Sequence, residues 1–154
     1  MKLALSLMLL LALPAQASEA WEGFFDPFLG DLRAELAEAK RAGRKGVLLM
    51  YHFEECPSCT RMKREVLWRP EVQAGFREHF ARLAIDTRGA QPVTGLDGSV
   101  LPESAFARSQ KVRGTPTFDF LGLDGALVHR HVGGIYDPQE FLSLGRRVVQ
   151  SKLK

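Results

Sequence analysis

Only two cysteines occur in the 154 residues, and they stand two positions apart within the stretch FEECPSCTRMK, as Cys56 and Cys59. Three chemistries fit such a pair: a redox dithiol, half of a metal site, or a small structural disulfide. Thiol–disulfide exchange needs an attacking thiolate and a second thiol that resolves the mixed disulfide. A Cys56 at the first turn of a helix has unpaired backbone N–H groups and the positive end of the helix dipole beside its sulfur, and both favour the thiolate. Cys59 then lies one turn along, within reach of that sulfur. Pro57 suits the first helical position, and Ser58 completes the pair between the cysteines. Arg61, Lys63 and Arg64 add positive charge nearby, whereas Glu54 and Glu55 oppose thiolate formation.

The other two chemistries are weaker on the residues. A disulfide closing so small a loop contributes only about 2 kcal/mol on the chain-entropy model. A metal site needs further ligands. His129 and His131 alternate along one strand and share a face, which makes them the best partners for the cysteines. Half-exposed polar positions on an edge strand account for them equally well, and His52 and His79 stand singly.

The elements that must position the pair follow from periodicity. Asp26-Pro27 reads as an N-cap with proline at N1, opening a helix through Phe28, Leu29, Leu32 and Leu36 to about Lys40, with Gly43 closing it. The apolar run Val47–Tyr51 fits a strand buried on both faces, with the cysteines at its C-terminal end. Cys59, Met62 and Val66 then share one helix face, Trp68 and Pro70 break or kink it, and 72–78 resumes the helical pattern. Residues 80–86 return to strand character, 87–100 read as a loop, and 102–111 as a short helix. A strand over 117–121, a turn at Asp124-Gly125 and a second arm over 127–132 form a hairpin. Asp137-Pro138-Gln139-Glu140 is a capping box that opens a last helix. The order predicts an α/β fold, a central mixed sheet flanked by helices, with parallel strands early and an antiparallel hairpin late.

Composition bounds the rest. With 45% hydrophobic and 25% charged residues the chain reads as one ordinary globular domain. A net charge of +3, with basic and acidic residues interspersed, gives no support for nucleic-acid binding. Residues 1–17 differ: Met1-Lys2, then a Leu/Ala/Met run of about a dozen residues, then Pro14 and Ala15-Gln16-Ala17. That is the pattern of a secretory signal peptide cleaved before Ser18, leaving a single domain over 18–154, and the run is too short to span a bilayer. Export out of the cytoplasm would place the cysteines where disulfides persist.

A second feature joins the pair. In Arg113-Gly114-Thr115-Pro116-Thr117-Phe118 a proline stands where a strand begins, a position that tolerates proline and where a cis peptide can occur. A strand, then CPSC at 56–59, then a helix, with RGTPTF at 113–118, the DG hairpin and Gly133 after it, resembles the thioredoxin family over roughly 47–150. The resemblance implies Cys56 as nucleophile, Cys59 as resolving thiol, and a cis-Pro116 that shapes the substrate groove, with Thr115 presenting its backbone to substrate. More narrowly the chain is similar to periplasmic thioredoxin-related proteins of the SoxW type, on the C-P-x-C centre, Val66 to Val72 and Leu96-Asp97-Gly98.

There are departures. Cytoplasmic thioredoxins carry Gly-Pro between the cysteines and Trp before them, where this chain has Pro57-Ser58 and Glu55. They also place a buried acid where this chain has Met50, so Glu54, Glu55 or water would have to take its part. The stretch 86–115 is too short for the helical insertion of DsbA-type oxidases, and nothing N-terminal in these residues resembles the dimerisation domain of the DsbC type. The resemblance therefore implies a monomeric exported reductase of client disulfides, without cofactor or metal, recharged by a membrane electron donor of the DsbD or CcdA type. The alternatives are a copper- or zinc-binding chaperone using the cysteines with a histidine, and a net disulfide oxidant.

Overall fold

The apolar run becomes β1, Gly46–His52, at the centre of a four-stranded sheet in the computed structural model, which describes residues 20–153. β1 pairs in parallel with β2, Phe80–Asp86, from Gly46↔Phe80 to His52↔Asp86. On its other side it pairs antiparallel with β5, Thr117–Gly122, which pairs in turn with β6, Leu127–Val132. The order is β2-β1-β5-β6, the mixed sheet expected from the sequence.

The two faces of β1 explain its continuous hydrophobicity. Leu48 and Met50, with Phe118 and Phe120 of β5, join a core built with three helices. These are α2 (Pro57–Met62), α3 (Pro70–His79) and α5 (Pro138–Lys152). At its heart the Phe76 and Phe141 rings stack with centroids 4.4 Å apart. Val47, Leu49 and Tyr51 join the opposite core. There α1 (Leu32–Arg41) and α4 (Glu103–Ser109) contribute Leu32, Ala39, Phe106 and Ala107. Alternate residues of one strand thus serve two cores, which leaves no place in it for a polar face.

Three local expectations change. The first helix starts at Leu32, and its N-cap is Asp31, which accepts from the N–H groups of Arg33 and Ala34 at 2.9 and 3.2 Å. Asp26 is instead the counter-charge of Arg82, a guanidinium only 1% exposed, and it also accepts from Arg44 at 2.6 Å. A buried cation requires a partner, and that requirement outweighs the local Asp-Pro signal. Leu29, named among the apolar residues at helical spacing, precedes the helix and is 95% exposed.

The 87–100 segment also holds structure. Strands β3 (Pro92–Thr94) and β4 (Val100–Pro102) form a small antiparallel hairpin, turning through Leu96-Asp97-Gly98, with Gly98 at φ 84°. Three-residue strands are too short to show an alternating pattern. Thirdly, α2 runs into a π-helical turn over Lys63–Leu67 before the expected break at Trp68 and Pro70. The N-cap half of the expected capping box is present: Asp137 accepts from the Glu140 N–H at 2.8 Å. The signal-peptide reading over 1–17 and the cleavage before Ser18 lie outside the described residues. Among the described residues no helix is long and apolar enough to cross a membrane.

Candidate active site

The site is built where β1 ends. Cys56 is the N-cap of α2, with Pro57 at N1, and its sulfur accepts the backbone N–H of Cys59 at 3.2 Å. Cys56 and Cys59 are joined as a disulfide, with Cα atoms 5.2 Å apart. Cys59 faces inward with Met62 and Val66, on the helix face the spacing predicts, and is fully covered, whereas Cys56 retains 3% exposure. An incoming sulfur therefore meets Cys56 first.

The second segment arrives from β5. The Thr115–Pro116 peptide bond is cis. The Thr115 carbonyl oxygen lies 3.7 Å from the Cys56 sulfur, and the Thr115 hydroxyl donates to that sulfur at 3.3 Å. The hydroxyl contact was not legible in the sequence, since it joins residues 59 positions apart. A thiolate at Cys56 would thus meet two donors, one from its own helix and one from the cis-proline segment, and hydrogen bonds to the charged form favour it.

The charged neighbours are more committed than the sequence implies. Glu54 and Glu55 are both exposed. Glu55 accepts from Arg88 at 3.1 Å, and that guanidinium covers the Phe53 ring at 3.8 Å. Arg61 donates to Glu65 at 3.0 Å and stacks on Tyr136 at 3.9 Å. Lys63 lies 4.0 Å from the Trp21 ring centroid, and its ammonium donates to His52 Nδ1 at 3.3 Å. Burial, and then the Lys63 charge, push the His52 imidazole down to about 4, while Asp86 opposes. His52 is therefore a neutral acceptor beside the dithiol helix and less ordinary than its sequence context suggests. Pro57 is exposed and Ser58 half-buried. Met50 is buried in the core beneath them, without a carboxylate at its position.

The strand histidines lie elsewhere. His129 packs against Phe120 and His131 against Phe118, with ring centroids 5.8 and 6.5 Å apart. Among the described residues no three His, Cys, Asp or Glu side chains converge in a way that could hold a metal ion.

A sheet whose central strand ends in a helix-capping, disulfide-bonded Cys-x-x-Cys, faced by a cis-proline, defines a thioredoxin-fold dithiol/disulfide protein. Residues 32–148 match the thioredoxin-like domain family, and the chain belongs to it. No curated protein matches the sequence. Among solved structures, a thioredoxin-fold protein from Helicobacter pylori is similar over 86% of this chain and 81% of its own, with 17% identity and a TM-score of 0.68. A thioredoxin from Thermus thermophilus is 30% identical over 77% of this chain and 83% of its own, with a TM-score of 0.57. A disulphide isomerase from Xylella fastidiosa covers 90% of this chain and 98% of its own, at 18% identity and a TM-score of 0.56.

Proposed function

We propose that this protein is an exported thiol–disulfide oxidoreductase that reduces disulfides in periplasmic client proteins. The observation that carries the reading is the Cys56 sulfur at the N-terminus of α2, approached by the Cys59 N–H and the Thr115 hydroxyl. In the reduced protein the Cys56 thiolate attacks a client disulfide. One client sulfur leaves as thiolate and takes a proton, and the other stays bonded to Cys56. Cys59 then loses its proton and attacks the Cys56 sulfur, expelling the second client thiolate and forming the Cys56–Cys59 disulfide. Two electrons pass to the client, and the oxidised protein is the state described above.

Thr115 borders the sulfur, and it and the cis-Pro116 that follows are the residues against which a client backbone would lie. Between β2 and β5 the chain holds only a hairpin and one short helix, so the groove carries no inserted helical domain of the oxidase type. This favours reduction over net oxidation. Each turnover consumes a dithiol, so an external reductant must regenerate Cys56 and Cys59. In an oxidising compartment that role falls to a membrane electron donor of the DsbD or CcdA type. The protein works as a monomer, and the SoxW-type resemblance points to clients in sulfur oxidation or cytochrome c maturation.

A Cys59→Ser variant tests the reading. It is expected to accumulate client proteins as mixed disulfides on Cys56 in a periplasmic extract, released by dithiothreitol. No adduct, or adducts that persist in a Cys56→Ser/Cys59→Ser double variant, would overturn it. The reduction potential separates the two directions: a value near about −270 mV marks a reductant, and one near about −120 mV an oxidant. Stoichiometric copper or zinc in the purified protein, with no insulin reduction, would instead establish the metal-binding alternative.

A further inference from the structure

One cavity of the described residues stands apart from the dithiol. It lies on the other face of the sheet, with a volume of about 520 Å³, between β1, β5, α1, α4 and the β3–β4 hairpin. That volume lies within the range of small-molecule sites. Its apolar wall comes from Leu32, Leu49, Leu101, Phe106 and Leu121. The hairpin that closes it is the Leu96-Asp97-Gly98 segment, which the redox chemistry does not use. Leu96 packs over Gly125, where an added Cβ would come within 2.6 Å of the Leu96 side chain.

Two polar side chains line the floor. Asp119 is 2% exposed, and both of its oxygens accept from Arg130, each at 2.6 Å. Tyr51 is fully buried; the Asp119 carboxylate stands near its hydroxyl, but the two form no hydrogen bond of normal geometry. Burial and then the charge of Asp119 push that phenol far above its ordinary range, so it remains a donor at every physiological pH. A buried hydroxyl without a well-formed hydrogen bond is costly, and a cavity in front of it is a place where a better-aligned acceptor can sit. The lining includes the carboxylates of Asp97 and Asp119 and no Lys, Arg or His, which disfavours an anion.

We propose that this cavity binds a small neutral amphiphile, an apolar ring or short chain whose hydrogen-bond acceptor meets the Tyr51 hydroxyl. The leucines and Phe106 take the apolar body, and Tyr51 fixes its orientation. The site is independent of the dithiol and stands or falls separately from the redox reading.

Acetophenone, a ring with one acceptor, is the probe; ethylbenzene lacks the acceptor, and benzoate carries a charge. Backbone NMR shifts of the oxidised protein are followed during titration. The expected result is a saturable shift of resonances around Leu49, Leu101, Phe106 and Leu121 with acetophenone, at least about tenfold weaker with ethylbenzene and absent with benzoate. A tenfold change corresponds to one hydrogen bond of about 1.4 kcal/mol. Tyr51→Phe removes a hydroxyl that makes no hydrogen bond of normal geometry in the protein, so it is expected to fold, and it should bring acetophenone down to the affinity of ethylbenzene. Leu101→Phe, on the half-buried wall, should block both neutral probes. No saturable shift up to the solubility limit would overturn the proposal, as would acetophenone binding unchanged in Tyr51→Phe or benzoate binding as well as acetophenone.

Discussion

His52 makes a prediction whose size follows from its surroundings. Its Nδ1 accepts from the Lys63 ammonium at 3.3 Å, and burial with that neighbouring charge holds the imidazole at about 4, against an ordinary value of 6.5. In the unfolded chain the ring binds a proton near pH 6.5; in the folded protein it does not until about pH 4. Between those values the unfolded state holds more protons, so stability rises with pH, by up to about 1.4 kcal/mol per pH unit. The depressed value spans about 2.5 pH units, giving a contribution of about 3 kcal/mol that is complete above pH 6.5 and lost as pH falls to 4. The assay is urea unfolding of the oxidised protein and of His52→Gln at several pH values from 7.5 to 4. Glutamine can still accept from Lys63 but does not titrate. The expected result is that the stability difference between the two shifts by about 3 kcal/mol in favour of the variant across that range. Parallel pH profiles would refute the reasoning, because other groups with depressed values, such as His131, are common to both proteins.

Further outcomes follow from single contacts. Thr115→Val removes the hydroxyl that donates to the Cys56 sulfur, and should raise the Cys56 pKa of the reduced protein by about one pH unit, read from the pH dependence of alkylation. Asp26→Ala leaves the Arg82 guanidinium buried and uncompensated, so denaturant unfolding should show a loss of about 3–5 kcal/mol. Burial alone would raise the Asp26 carboxyl, yet hydrogen bonds from Arg82 and Arg44 hold it below its ordinary range, consistent with that pairing. Asp137→Ala removes the cap of α5 and should cost about 1 kcal/mol by the same assay.

The parts of this molecule that were legible in the sequence are those set by neighbours along the chain. The β1 run, the helix face of Cys59, Met62 and Val66, the Asp124-Gly125 turn and the Asp137 cap all depend on a few consecutive residues. The central sheet followed from their order. What escaped was decided by partners distant in sequence. Asp26 looks like a cap until Arg82, 56 residues away, claims its carboxylate. The Thr115 hydroxyl reaches Cys56 only because β5 lies beside β1. Lys63 reads as charge for the cysteines, but it is held against Trp21 and His52. The cavity behind the sheet depends on a hairpin of three-residue strands that no period reveals.

The central claim is exchange of electrons through Cys56 backed by Cys59. Its most direct test mixes the reduced protein with insulin, whose disulfides report reduction as released thiols, under limiting dithiothreitol. The expected result is catalytic insulin reduction by the native protein, none by Cys56→Ser, and a single-turnover mixed disulfide with Cys59→Ser. Insulin reduction by Cys56→Ser at the native rate, or none by the native protein, would contradict it.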